Sequence, residues 1–116
     1  KSIMDLSSEL ADLSSRARDK KLKPDEMKGG TFTLSSLGGI GGTGFSPIVN
    51  PPEVAIMGIS RSKLKQVFDK SSSDFKTCFM MPFSLSYDHR VIDGAAAATF
   101  TSRFAKVLAD TFFLSV

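Results

Sequence analysis

The chain has 116 residues, a formal net charge of +3, 41% hydrophobic residues, ten Phe, one Cys and no Trp. That suffices for one globular domain or a large piece of one, and leaves no room for a second. No basic tract interleaved with aromatics supports a nucleic-acid surface, and no apolar run approaches the roughly 20 residues of a membrane span. The lone Cys78 excludes an internal disulfide and fits a reducing compartment, so a soluble, intracellular protein is expected. Because the sequence opens on Lys1 inside what reads as an element, a fragment of something longer is expected as well.

Ile3, Leu6, Leu10, Leu13 and Ala17 lie on one face of a helix of about four turns, with Arg16, Arg18, Lys20 and Lys21 crowding its negative pole. Pro24-Asp25-Glu26 predicts the first turn of a second, short helix ended by Gly29-Gly30. Thr31 to Ser35 alternates as a strand, a Gly-rich stretch follows, and Pro47, Pro51 and Pro52 keep the next segment irregular. Glu53 to Ser60 reads as a buried strand, with Arg61 and Lys63 where it leaves the core. Residues 69–76 read as a hairpin loop and Cys78 to Tyr87 as a third strand, in which Pro82 implies a bulge or an edge. After Asp93-Gly94, the spacing of Ala97, Phe100, Phe104, Val107, Leu108 and Phe112 predicts a long helix. Helix, strands and helix without regular βα alternation favour an α+β layered sheet over a doubly wound one.

Gly39, Gly41 and Gly44 match the letters of the dinucleotide pattern G-x-G-x-x-G. That pattern needs a helix starting at the loop and an acidic residue roughly 20 positions on. Phe45 to Pro52 cannot be that helix, and Glu53 comes too soon. The expectation is a tight turn that lets backbones approach closely.

The segment Ser86 to Gly94 (S-Y-D-H-R-V-I-D-G) holds the only histidine, at a strand-to-helix junction. An imidazole with an ordinary pKa of about 6.5 is the usual general base for a thiol or hydroxyl. Asp88, Arg90 and Asp93 around it would orient the ring, or would simply pair with one another. Cys78 lacks an adjacent base and reads as a small core residue, as do Met57, Met80 and Met81 as core filling. One His and one Cys do not make a metal site.

D-H-R-V-I-D-G-A resembles the H-x-x-x-D-G signature of coenzyme A-dependent acyltransferases with the chloramphenicol-acetyltransferase fold. With G-G-T-F-T-L-S-S-L-G-G-I-G-G-T and P-I-V-N-P-P-E-V-A-I-M-G, the likeness narrows to the acyltransferases of the 2-oxo acid dehydrogenase complexes and covers most of residues 5–110. Within that family, S-S-L-G-G-I-G-G-T-x-F is most similar to the acetyl-transferring, pyruvate dehydrogenase members of bacterial type. The resemblance implies a chloramphenicol-acetyltransferase-like layered mixed sheet with helices on one face. It also implies that residues 1–116 are the C-terminal half of a catalytic domain that follows lipoyl and subunit-binding domains.

By the same resemblance, an acetyl group would pass between dihydrolipoamide and coenzyme A, the lipoyl group being carried outside this chain. His89 stands at the family's base and Asp93 at its partner, holding the loop through an ion pair. Ser35 stands at the oxyanion donor, with Ser36 its substitute. Ser36 and Ser60 line the coenzyme A channel. The site would lie between subunits of a homotrimer, the base from one chain and the serine from its neighbour. Eight or twenty trimers would build a cubic or dodecahedral core serving a decarboxylase and a dihydrolipoamide dehydrogenase. The apolar end Phe112 to Val116 would be buried in that assembly. The expected location is the cytoplasm for a bacterial chain and the mitochondrial matrix for a eukaryotic one. Transfer of another acyl group, such as a branched-chain one, and a non-catalytic trimeric scaffold are the alternatives.

Overall fold

In the computed structural model, which describes residues 1–110, the chain enters its first helix at Ser2. The Ser2 hydroxyl accepts from the Asp5 N–H at 3.1 Å, and the Asp5 carboxylate accepts from the Ser2 N–H at 3.0 Å. This reciprocal box satisfies two otherwise orphaned donors and starts α1 (Ile3–Arg18). Arg16 in its last turn forks onto both Glu26 oxygens at 2.9 and 2.8 Å and also donates to Asp12 at 2.9 Å. Glu26 belongs to a 3₁₀ turn (Pro24–Met27). The Arg16 fork and the Lys23 N–H together hold its carboxyl down at about 2. The apolar stripe of α1 is fully formed in sequence, yet the helix buries none of its residues.

The chain divides into two compact units, residues 1–30 with the chain from Ser102 onward, and residues 31–101. The second unit contains β1 (Thr33–Ser36), β2 (Ala55–Ile59), β3 (Lys63–Asp69), β4 (Asp74–Met80), β5 (Phe83–Tyr87) and the start of α2 (Gly94–Ala109). β1, β2 and β5 form a mixed sheet in that order, β1 parallel to β2 and β5 antiparallel to it. As the central strand, β2 reads as a continuous apolar run because neither face meets water. Ala55, Ile56 and Met57 are buried, Met57 being 1% exposed. A Cβ at Gly58 would sit 2.9 Å from both the Phe45 ring and the Ser84 hydroxyl. A side chain there would force that ring and that hydroxyl to shift. Ala97 of α2 is buried, and it borders an apolar cavity of about 320 Å³ with Phe32, Val54, Leu85 and Phe100. The Phe32 and Phe100 rings lie 6.0 Å apart across this cavity.

β3 and β4 form a separate two-stranded hairpin, with Leu64 opposite Phe79 and Phe68 opposite Phe75. Here the structure departs from the sequence reading. Lys63 to Asp69 is a full strand, the expected loop 69–76 shrinks to a turn at residues 70–73, and the expected strand 78–87 is two strands in two sheets. Pro82 divides them because it has no N–H to give a ladder. Its carbonyl instead accepts from the Ser60 N–H at 3.0 Å.

Cys78 and Met81 are half-buried and Met80 is 45% exposed, so only Met57 of the expected methionine filling sits in the core. The mixed α+β class matches the expectation, as do α1, the 3₁₀ turn, β2 and α2. Phe112 to Val116 lie outside the described residues. Among the described residues no helix is long and apolar enough to cross a membrane.

Candidate active site

The strand registers decide where the candidate residues stand. Ser35 faces Gly58 and Ser36 faces Ile59 across the parallel ladder, which continues as the Leu37 N–H donates to the Ile59 carbonyl at 3.0 Å. Ser60 follows Ile59 directly and is buried. The three serines therefore share one end of the sheet.

The glycine stretch closes over that end as a turn. The Leu37 carbonyl accepts from the N–H groups of Ile40 and Gly41 at 2.9 and 3.1 Å. Gly42, with φ of 88°, adopts a left-handed conformation that favours glycine. Arg61 fastens the turn by donating Nε to the Gly38 carbonyl at 3.0 Å and Nη2 to the Gly39 carbonyl at 3.4 Å. The next regular element after this loop is the strand β2. No helix begins at this loop to receive a pyrophosphate, and the dinucleotide pattern is a coincidence of letters. The clamp by Arg61 was not legible in the sequence; its only signal was a cation just past a buried strand.

His89 stands at the other end. β5 runs antiparallel to β2 with Ala55 opposite Tyr87, and His89 lies two residues beyond that pair. Tyr87 is three register steps and two strands from Ser35, which is roughly 10 Å along the strands and 10 Å across them. The structure thus brings Ser35, Ser36 and Ser60 together and holds His89 and Asp93 apart from them within one chain.

The histidine sits in a turn anchored at both sides. The Asp88 N–H donates to the Val54 carbonyl at 2.8 Å, and the Asp88 carbonyl accepts from the Val91 and Ile92 N–H groups, both at 3.0 Å. The Asp88 carboxylate accepts from the Arg90 N–H at 3.0 Å and from the Arg90 guanidinium at 2.9 and 2.8 Å. The Arg90 hydrogen bonds hold the Asp88 carboxyl down at about 2, so it is ionised throughout the neutral range. His89 itself is exposed, and its ring lies 5.7 Å from the Tyr87 ring at 41°.

Among the described residues Asp93 makes no ion pair of the expected kind. Its Oδ1 accepts from the Ala96 N–H at 2.7 Å and its carbonyl from the Ala97 N–H at 3.1 Å. This is the N-cap of α2, where a carboxylate also meets the positive pole of the helix. Arg90, the cation next to it in sequence, is engaged on Asp88 instead.

Beside this turn is a cavity of about 430 Å³ bordered by Val49, Pro52, Glu53, Tyr87, Asp88 and Arg90. Glu53 is held by the Thr33 hydroxyl, which lies 2.8 and 3.0 Å from its two carboxylate oxygens. Cys78, mid-strand in β4 opposite Lys65, belongs to the other sheet. Among the described residues no group of three or more His, Cys, Asp or Glu side chains is arranged to hold a metal ion.

Comparison with known proteins places these residues in context. Residues 1–115 match the family described as 2-oxoacid dehydrogenases acyltransferase (catalytic domain). The chain is 57% identical over 110 residues to the dihydrolipoyllysine-residue acetyltransferase component of the pyruvate dehydrogenase complex of Pseudomonas aeruginosa, covering 95% of this chain and 20% of that protein. It is 54% identical over 114 residues to the same component from Buchnera aphidicola subsp. Acyrthosiphon pisum, covering 98% of this chain and 28% of that protein.

Among solved structures, a dihydrolipoamide acetyltransferase from Azotobacter vinelandii superposes on the whole chain with a TM-score of 0.92 at 53% identity, over 47% of its own length. That structure was studied for the role of a serine, a histidine and an asparagine in its catalytic mechanism. The cubic core of a pyruvate dehydrogenase multienzyme complex matches with a TM-score of 0.92 at 52% identity, again over 47% of its length. The chain spans between a fifth and 28% of the two curated relatives.

Proposed function

Since the chain belongs to the 2-oxoacid dehydrogenases acyltransferase (catalytic domain) family over residues 1–115, we propose that it is the C-terminal part of an acetyltransferase that moves an acetyl group between dihydrolipoamide and coenzyme A. His89 is the general base and Ser35 the oxyanion donor. Asp93 fixes the loop by capping α2, and Ser36 and Ser60 border the coenzyme A path.

The observation that carries this reading is the separation of two intact groups at opposite ends of one sheet. A histidine turn anchored at both sides and a serine cluster under a clamped glycine turn are each well built, and neither is a site alone. A second copy supplying the missing half completes one, as in a trimer whose active sites lie between subunits. Support comes also from the Azotobacter vinelandii relative, whose histidine and asparagine under study are four residues apart, as His89 and Asp93 are. The finer fold is then the chloramphenicol-acetyltransferase-like layering. The assembly is a core built of such trimers, serving decarboxylase and dihydrolipoamide dehydrogenase components in a bacterial cytoplasm.

The chemistry follows from what the residues offer. His89 takes the proton from the attacking thiol, and the thiolate adds to the thioester carbonyl. The tetrahedral oxyanion accepts a hydrogen bond from the Ser35 hydroxyl of the neighbouring chain. Collapse expels the other thiolate, which recovers the proton from the imidazolium. A single oxyanion donor supplies about 3–4 kcal/mol to such a step.

The test is acetyl transfer from acetyl-coenzyme A to dihydrolipoamide by the full-length assembled protein and its variants. His89→Ala is expected to lower kcat by at least about a hundredfold, the lower range for a positioned base. Ser35→Ala is expected to lower kcat with little change in KM. Turnover by His89→Ala equal to that of the parent protein removes the assignment, and a change confined to KM makes Ser35 a binding residue.

A further inference from the structure

Exposed ion pairs ordinarily contribute little, and Arg90 has a side chain 88% exposed. Its geometry is nonetheless specific. The guanidinium meets both oxygens of Asp88 two residues earlier, while its own N–H meets Oδ1, so the two neighbours of His89 clasp each other across it. The clasp is not floating: Asp88 is tied to Val54, the residue just before β2, and to the following turn through Val91 and Ile92. A ring closed over a single residue constrains that residue's backbone, and with it the direction in which its side chain departs.

We propose that Asp88 and Arg90 are positioning residues for His89, their bidentate clasp setting the direction in which the imidazole leaves the turn. This rests on the reading of His89 as the general base. Asp93, capping α2 four residues later, fixes the far side of the same loop but leaves the backbone at His89 to the clasp. The guanidinium is suited to this role because its rigid fork matches a carboxylate in two bonds, which an ammonium cannot do.

The experiment uses the full-length assembled protein, with kcat and both KM values measured for Arg90→Met, Arg90→Lys, Asp88→Asn and His89→Ala, and for Arg90→Met combined with His89→Ala. Small displacements of a catalytic group cost large factors, so Arg90→Met is expected to lower kcat about tenfold, with both KM values within about twofold. Arg90→Lys keeps the charge and loses the fork, and stays low. Asp88→Asn keeps the turn's backbone bond and is expected to fall between the parent protein and Arg90→Met. In the His89→Ala background, Arg90→Met is expected to have no further effect, because the clasp acts only through the imidazole. An unchanged kcat in Arg90→Met, beside an impaired His89→Ala, overturns the positioning role and leaves the base standing. A further loss in the His89→Ala background overturns it too, as a general structural effect. Full activity of His89→Ala removes the base and this inference with it.

Discussion

The serine end and the histidine end of the β1-β2-β5 sheet are built by different means. At the serine end, backbone pairing does the positioning: Ser35 and Ser36 are set by their register on Gly58 and Ile59, and Ser60 by its N–H on Pro82. At the histidine end, strand pairing stops at Tyr87, and side chains are added to the turn's backbone bonds as Asp88 clasps Arg90 and Asp93 caps α2. Residues placed by a ladder keep their positions when neighbouring side chains change. Residues placed by caps and clasps depend on those side chains one by one.

The sharpest way to break this comparison is to place the two ends on different chains. His89→Ala and Ser35→Ala, each impaired alone, are to be mixed in equal amounts, dissociated and reassembled. If each site takes its histidine from one subunit and its serine from another, about a quarter of the sites receive both intact groups and activity returns to roughly that level. If both groups of a site come from one chain, the mixture stays as inactive as its components.

A smaller effect tests the ladder's one intolerance. Gly58→Val forces a side chain against Phe45 and Ser84. Overpacking of this kind is expected to cost about 1–3 kcal/mol, read as a lower urea midpoint with unchanged slope. The smallest expected effect lies at the other end. Asp93→Ala removes the cap of α2 and is expected to cost about 1 kcal/mol, while Asp93→Asn, a comparable cap, recovers most of the loss in thermal unfolding.

Much of this was legible in the sequence because it is local. The periodicity of α1 and α2, the apolar run of β2 and the Pro24 turn each carry their signal within a few residues. β3 was not legible, since Lys63, Lys65 and Gln66 give a two-stranded, solvent-facing hairpin no apolar alternation to read. The break between β4 and β5 was half legible: Pro82 announced an interruption without saying that the chain changes sheets there. The separation of Ser35 from His89 could not be read from spacing, because register between distant strands is set by packing. The means by which Asp93 holds the loop, a cap in place of an ion pair, was not legible for a related reason. Two aspartates compete for one arginine in the sequence, and only the turn geometry assigns Arg90 to Asp88 and frees Asp93 to cap.

One consequence follows from the β3–β4 hairpin. In its register Leu64 and Phe79, and then Phe68 and Phe75, line up on a single face, each more than half exposed. The Phe68 and Phe75 rings meet edge to face at 5.4 Å, which orders the ribbon without hiding it from water. For anyone handling this chain by itself, the pairing that orders the ribbon also presents an exposed apolar row next to unpaired strand edges, the kind of surface on which copies of a chain associate.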